Sequence, residues 1–325
     1  MYQSKLNLLE TEKAIKLIKD EFERRLATKL NLIRISSPVV VSKESGINDY
    51  LNGYEKPVAF HYQGEELEII QSLAKWKRMA LKRYGFKIGQ GLYADMNAIR
   101  KDEIIDNIHS IYVDQWDWEK IITRKQRTKE YLFKTVKVIY SVIQKMERIV
   151  NRRYPTLLFK LPDEITFIDS QELEDRFPEL TSREREYQVT KECKAVFVTR
   201  VGGLLNSGVI HDGRSPDYDD WNLNGDLLLY DAVNGAVLEV SSMGIRVDEV
   251  SLVAQLKERN ALDRLQYPYH QALLNGQLPL TIGGGIGQSR MCQFLLEKKH
   301  IGEVQASYWP PEMLAALEQE NIIVL

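Results

Sequence analysis

The chain has 325 residues, 44% hydrophobic and 28% charged, which is the composition of an ordinary soluble globular protein able to bury a large core. Its 44 lysines and arginines against 46 aspartates and glutamates leave a net charge of -2, which argues against a broad nucleic-acid footprint. Two distant cysteines, no apolar signal core and no run of roughly 18 apolar residues point away from a disulfide framework, a zinc site, export or a membrane span, and toward the cytoplasm.

No repeat, low-complexity tract or Pro/Ser-rich linker divides the sequence, so residues 1–325 read as a single domain. Ile15, Ile18, Phe22 and Leu26 recur at helical spacing and predict a long amphipathic helix over 8–30. LNLIRISSPVV follows as a β-type run broken by Pro38, and the loop SGINDYLNG carries Asp49. VAFHY and LEIIQ predict a hairpin, after which Ser72 is placed to cap a helix bearing Lys75, Trp76, Lys77 and Arg78. Antiparallel strands are expected at about 91–100 and 110–118. Gln115 and Asp117, two apart on the second, project from one face and suit an amino group.

A helix of roughly 25 residues then runs to Arg-Arg-Tyr-Pro at 152–155. EITFID, two helices near 171–193 and the strand KAVFVTR come next, then a hairpin GDLLLYDAVNGAVLEVSSM around Asn234-Gly235. A two-residue turn there would put Asp226 and Glu239 on one face but about four residues, roughly 13 Å, apart along the strand. A wider turn, which Asp231 and Ala232 allow, would slip that register. Antiparallel strands with inserted helices make an α+β pattern.

TIGGGIGQSRMCQFLL, residues 281–296, has four glycines in five positions. It lacks the GK[ST] of a Walker loop, and Gln288 stands where a Rossmann fingerprint from Gly283 needs glycine. Glycines alone could serve close packing of a helix on a sheet. Arg290 adds chemistry: in the first turns of a helix starting near Gly285 or Gly287, a guanidinium beside bare amides grips phosphate bidentately. Arg100, with Glu103 just after it, closes the first strand of the 91–118 hairpin.

Pro38 after a long helix, Arg100 with Glu103, and the glycine run ending in Arg290 resemble, in order, the three signature motifs of class II aminoacyl-tRNA synthetases. The strings SLAKWKR, VDQWDWE, PDYDDW, LEVSSMGIRVD and TIGGGIGQSR resemble the ammonia-dependent asparagine synthetases related to aspartyl- and asparaginyl-tRNA synthetases, over nearly the whole chain. The resemblance implies a six- to eight-stranded antiparallel sheet flanked by helices, a homodimer built through the first motif, and a two-step reaction. In it ATP adenylates the β-carboxylate of L-aspartate and ammonia displaces AMP.

By the same resemblance Arg100 would hold the α-phosphate and Arg290 the distal phosphates, with Glu103, Gly285 and Gly287 beside ATP. Asp226 and Glu239 would stand near Mg2+, an ion that takes carboxylates, phosphates and water; a turn without slip would leave Glu239 alone with it. Lys77 and Ser72 are candidates for a substrate carboxylate and its surroundings. Ser241 and Ser242 could donate hydroxyls there, or be ordinary strand polarity. Ammonium must lose a proton before it attacks, and Asp49, matching the family's loop aspartate in a segment suited to a lid, is the first acceptor considered. Asp219, with Arg214 nearby, is the second. The five histidines form no catalytic spacing, and Cys193 and Cys292 read as core, so no glutaminase nucleophile is expected and free ammonia is the donor. The alternatives are a paralogue that loads aspartate on tRNA, against which stands the lack of room for an N-terminal anticodon-binding barrel, and a silent synthetase-like sensor.

Overall fold

A computed structural model describes residues 2–51 and 55–325. Helix α1 (Leu8–Leu30) starts on a reciprocal cap: Asn7 Oδ1 accepts from the Glu10 amide at 2.9 Å and Glu10 Oε2 from the Asn7 amide at 3.1 Å. It ends at Asn31 in the left-handed region, φ 61°. Its predicted apolar stripe is buried, and Phe22 stacks on Trp116 with centroids 4.5 Å apart.

Strands β1 (Leu32–Arg34) and β2 (Val40–Ser42) flank Pro38; β3 (Ala59–Tyr62) and β4 (Glu65–Ile69) form the predicted hairpin. Helix α2 (Ala74–Arg83) has Leu73 rather than Ser72 as its N-cap residue, although Ser72 Oγ accepts from the Ala74 amide at 3.2 Å. Then come β5 (Gly91–Ile99), β6 (Tyr112–Ile121), α3 (Lys129–Arg153), β7 (Thr166–Asp169), α4 (Ser170–Arg176), α5 (Ser182–Cys193) and β8 (Ala195–Thr199). The chain continues through β9 (Asp219–Asp231), β10 (Ala236–Arg246), α6 (Glu249–Glu258), α7 (Pro268–Leu274), β11 (Thr281–Gly287), α8 (Gln288–Leu295) and α9 (Pro311–Gln319).

Among the described residues, eight strands form one sheet in the order β1-β5-β6-β11-β10-β9-β8-β7, and β2-β4-β3 form a small second sheet. The large sheet is antiparallel from β5 to β8, but both edge pairs, β1 with β5 and β7 with β8, are parallel. The expected six- to eight-stranded antiparallel sheet is present, with a parallel pair added at each edge. β1 connects to β5 through residues 35–90, which hold β2–β4 and α2, and β7 connects to β8 through α4 and α5, connections long enough for parallel pairing.

One face of the large sheet carries Trp116, Trp118, Met243, Ile245, Ile282 and Ile286 into a core shared with α1, α3 and α8. The alternation that buries Trp116 and Trp118 sends Gln115, Asp117 and Glu119 to the opposite face. The glycine run is the central strand β11, between β6 and β10, and the helix begins at Gln288 with Gly287 as N-cap, the later of the two starts considered. The β9–β10 turn is wider than Asn234-Gly235, because Ala236 pairs with Asp231. An irregularity between Glu239 and Ser241 then sets Ser242 opposite Asp226. This bulge turns Glu239, Ser242 and Arg246 toward one side while Leu238, Val240, Met243 and Ile245 stay in the core.

Candidate active site

The opposite face of the sheet, on which α2 packs against β6, opens into a cleft of about 350 Å³. Asp49, Ser72, Lys77, Arg100, Glu103, Gln115, Asp117, Asp219, Glu239, Ser241, Ser242, Gly285, Gly287 and Arg290 all line it. Of the residues picked out in the sequence, Asp226 alone is not on its wall.

Arg100 follows β5 at one end. Its backbone amide binds Ile111 O at 2.8 Å, Nη2 reaches Gln71 O at 3.5 Å, and the buried Nε has no partner among the described residues. Arg290 is the third residue of α8 and donates from Nη1 to the Glu239 carbonyl at 2.9 Å. Two guanidiniums from distant motifs therefore reach one cleft with donors to spare, the arrangement that recognises phosphates.

At the other end the floor is a set of buried ion pairs. Lys77 Nζ bonds the Asp117 carboxylate and donates to Gly284 O at 3.0 Å. Arg246 grips Glu119 through Nη2 at 2.7 Å and Nε at 3.0 Å, and donates from Nη1 to Asp219 Oδ1 at 2.5 Å. Thr281 Oγ1 donates to Glu119 Oε1 at 2.6 Å. Burial alone would push the Glu119 carboxyl up, but Arg246, Lys77 and the Thr281 hydroxyl hold it below the usual range. Asp219 is pushed up by burial despite Arg246. Its closest cation is thus Arg246, whereas Arg214 is committed to Asp226. Glu119 and Arg246 were missed in the sequence; the two-residue step from Gln115 to Asp117 reaches Glu119 next, while nothing local marks Arg246, whose partners lie 27 and 127 positions away.

The glycines of β11 make room for these acids. A Cβ on Gly285 would overlap Gln115 Oε1, the free end of a flexible side chain. A Cβ on Gly283 would overlap the pinned Glu119 carboxylate and lie 2.7 Å from the Trp118 carbonyl. Gly285→Ala is therefore expected to keep the wild-type melting temperature within a few degrees while raising the substrate KM severalfold by displacing Gln115. Gly283→Ala should instead lower stability by about 2 kcal/mol or more. Thermal melts and steady-state kinetics on both variants check this contrast.

Asp49 is 2% exposed, and neither carboxylate oxygen has a hydrogen-bond partner among the described residues. Its backbone is tied down instead: Asp49 N binds Asn48 Oδ1 at 3.0 Å, and Gln71 Nε2 donates to Asp49 O at 2.9 Å. Burial pushes its carboxyl up to about 6, against the pull of Lys75 and with the help of the Asp217 charge. Asp49 is thus an anchored group rather than part of an open loop, and Asn52 and Gly53 of the expected lid lie outside the described residues.

The slipped register leaves Glu239 on the cleft wall and Asp226 behind it. Arg214 already pairs with Asp226, whose carboxyl burial pushes up to about 7 with Glu239 and Asp212 adding to the rise. No cluster of three or more His, Cys, Asp or Glu disposed for a metal exists among the described residues. His109, to which the sequence assigns no role, also lines the cleft, with Nδ1 2.9 Å from Asp106. Cys292 is buried with its thiol pushed up to about 12 by desolvation, while Cys193 is half-buried rather than core.

A largely antiparallel sheet with one arginine closing a hairpin and a second on the helix after a glycine strand, both facing one cleft, defines a class II aminoacyl-tRNA synthetase-like catalytic fold. The solved asparaginyl-tRNA synthetase from Pyrococcus horikoshii complexed with asparaginyl-adenylate is similar in fold, with a TM-score of 0.67 at 13% identity over 92% of this chain and 70% of that one. Within this class the chain belongs to the aspartate-ammonia ligase family, whose model matches residues 9–321. The aspartate-ammonia ligases of Clostridium perfringens and Fusobacterium nucleatum are each 57% identical to it, over 100% of this chain and 97% and 99% of theirs.

Proposed function

We propose that this protein makes L-asparagine from L-aspartate, ammonia and ATP, releasing AMP and pyrophosphate through a β-aspartyl-adenylate. One observation carries the reading: Arg100 and Arg290 open into the same cleft whose far end holds buried charges of both signs. A zwitterionic dicarboxylate needs such an end, because its amine calls for Asp117 and Gln115 and its carboxylates for Lys77 and the Ser72, Ser241 and Ser242 hydroxyls. The triphosphate needs the other. Arg100 takes the α-phosphate, and Arg290, beside Gly285, Gly287 and Glu103, takes the charge that grows on the departing pyrophosphate. Arg246 acts through Glu119 and Asp219, fixing the floor on which Asp117 and Lys77 stand.

Magnesium fits as an ion carried on the nucleotide. Glu239 would supply the wall carboxylate and Asp226, its Oδ1 buried and unpaired among the described residues, a second one set back behind Arg214. Such an ion would offset phosphate charge, and one or two carboxylates with phosphates and water suit it.

A cytoplasmic homodimer belongs to the same reading, since Leu8, Leu9, Ile33 and Val39 expose apolar surface around the first motif. No helix among the described residues is long and apolar enough to cross a membrane. We read residues 1–325 as one catalytic unit with no nucleic-acid partner. The test incubates the protein with aspartate, ATP and magnesium, adding ammonium, glutamine or tRNA in turn. Asparagine, AMP and pyrophosphate are expected with ammonium alone. Aspartyl-tRNA would favour a synthetase paralogue, and no ATP turnover would favour a sensor.

A further inference from the structure

A second cavity of about 260 Å³ lies behind the cleft. The partition is built from short stretches whose neighbouring residues face opposite sides. Asn48 and Tyr50 line the chamber while Asp49 lines the cleft; Lys75 lines the chamber while Ala74 and Lys77 line the cleft; Asp217 lines the chamber between Ser215 and Tyr218 of the cleft. Asp49 thus stands on a wall one residue thick.

His270 also lines this chamber, fully buried, with Nε2 3.0 Å from Asp217 Oδ2. Arg264 at 3.2 Å, Lys75 at 3.6 Å and the Ser215 hydroxyl at 2.8 Å also hold the Asp217 carboxylate. An ionised carboxylate accepts, so Nε2 carries a proton, and in the neutral ring Nδ1 then keeps the lone pair. Nδ1 has no partner among the described residues. A buried base whose other nitrogen is fixed by a carboxylate is the arrangement that makes imidazole a proton acceptor.

The chamber also suits a small cation. Glu68, Asp217 and Asp263 line it against Lys75, Arg264 and Lys43, but Lys43 is already paired with Glu66 at 2.8 Å, leaving the acids ahead.

We propose that this chamber admits ammonium, and that His270, held by Asp217, takes its first proton before the freed ammonia passes Asp49 into the cleft. The inference rests on the amidation proposed above. Stoichiometry requires a second acceptor. Ammonium and an acyl-adenylate give an amide, dianionic AMP and two protons, whereas Asp49 can hold one. In the first step an N–H bond of ammonium breaks and its proton joins Nδ1, giving ammonia and imidazolium opposite Asp217. The ammonia lone pair then forms the C–N bond, the acyl C–O bond breaks with its electron pair leaving on AMP, and the second nitrogen proton goes to Asp49. Imidazolium returns its proton to water through the chamber.

The test compares two nucleophiles. Hydroxylamine is largely uncharged at neutral pH and has no first proton to lose. His270→Gln keeps an amide donor for Asp217 without a basic nitrogen. It is expected to lower asparagine formation from ammonium about a hundredfold, with hydroxamate formation from hydroxylamine and ATP–pyrophosphate exchange within a few fold of wild type. His270→Ala should show the same split and regain ammonium use with added imidazole. Equal losses with both nucleophiles, or unchanged ammonium use, would overturn the proposal. Absence of aspartate-dependent exchange in the wild-type protein would instead strike the amidation reading itself.

Discussion

Arg290→Ala is expected to lower aspartate-dependent ATP–pyrophosphate exchange by about a thousandfold or more, while circular dichroism and the melting temperature stay close to wild type. The size follows from charge: pyrophosphate departure builds negative charge in a shielded cleft, where a preorganised donor contributes about 10²–10³ and a phosphate-clamping arginine more. The mild structural effect follows from its contacts. Arg290 gives the fold a hydrogen bond to Glu239 O at 2.9 Å and a long one to Ile108 O at 3.4 Å. Arg290→Lys should recover only part of the rate, because a point charge cannot span two phosphate oxygens as a planar fork does. Near-normal exchange by Arg290→Ala would remove this residue from the phosphate site and with it the main support for adenylation.

Much of this was legible in the sequence, for identifiable reasons. The helix over 8–30 announces itself by the periodicity of Ile15, Ile18, Phe22 and Leu26, and it forms over Leu8–Leu30. Gln115 and Asp117 share a face because strand geometry leaves no alternative. Arg100 and Arg290 were found through motif context, and fold topology brings them to one cleft. The glycine run did not announce a strand, because four glycines carry no apolar alternation; tertiary pairing makes it one, since a central strand beside Glu119, Asp117 and Gln115 has no space for side chains. The turn at Asn234-Gly235 left two registers open because a favoured dipeptide does not fix loop length; the wider turn holds, and the bulge after Glu239 has no sequence signature. Asp217 with His270, and Arg246 with Glu119, could not be read at all: each pair joins residues 53 and 127 positions apart.

Asp49→Asn should separate the two half-reactions. Adenylation needs no base at this position, so pyrophosphate exchange is expected to continue while asparagine formation falls by about 10²–10⁴, the range for a lost general base. The wild-type protein should show the same dependence in its pH profile. Its carboxyl, pushed up to about 6 by burial with the Asp217 charge adding and Lys75 and Arg264 opposing, accepts a proton only when ionised, so amidation should rise with pH through about 6. Stability runs the other way. A carboxyl pKa raised on folding means that the native state holds the proton more tightly than the unfolded chain, a contribution fully present below about 4 and lost as pH climbs through about 6. Asp49→Asn, with nothing to ionise, should therefore melt higher than wild type at pH 7 and close to it at pH 4. Hydroxylamine makes the contrast with His270 sharp: it arrives uncharged but still sheds one proton as it attacks, so Asp49→Asn should impair both nucleophiles where His270→Gln impairs ammonium alone. A variant at Asp49 that kept full use of hydroxylamine would mean the second proton leaves by another route, and would reduce Asp49 to a member of the partition between chamber and cleft.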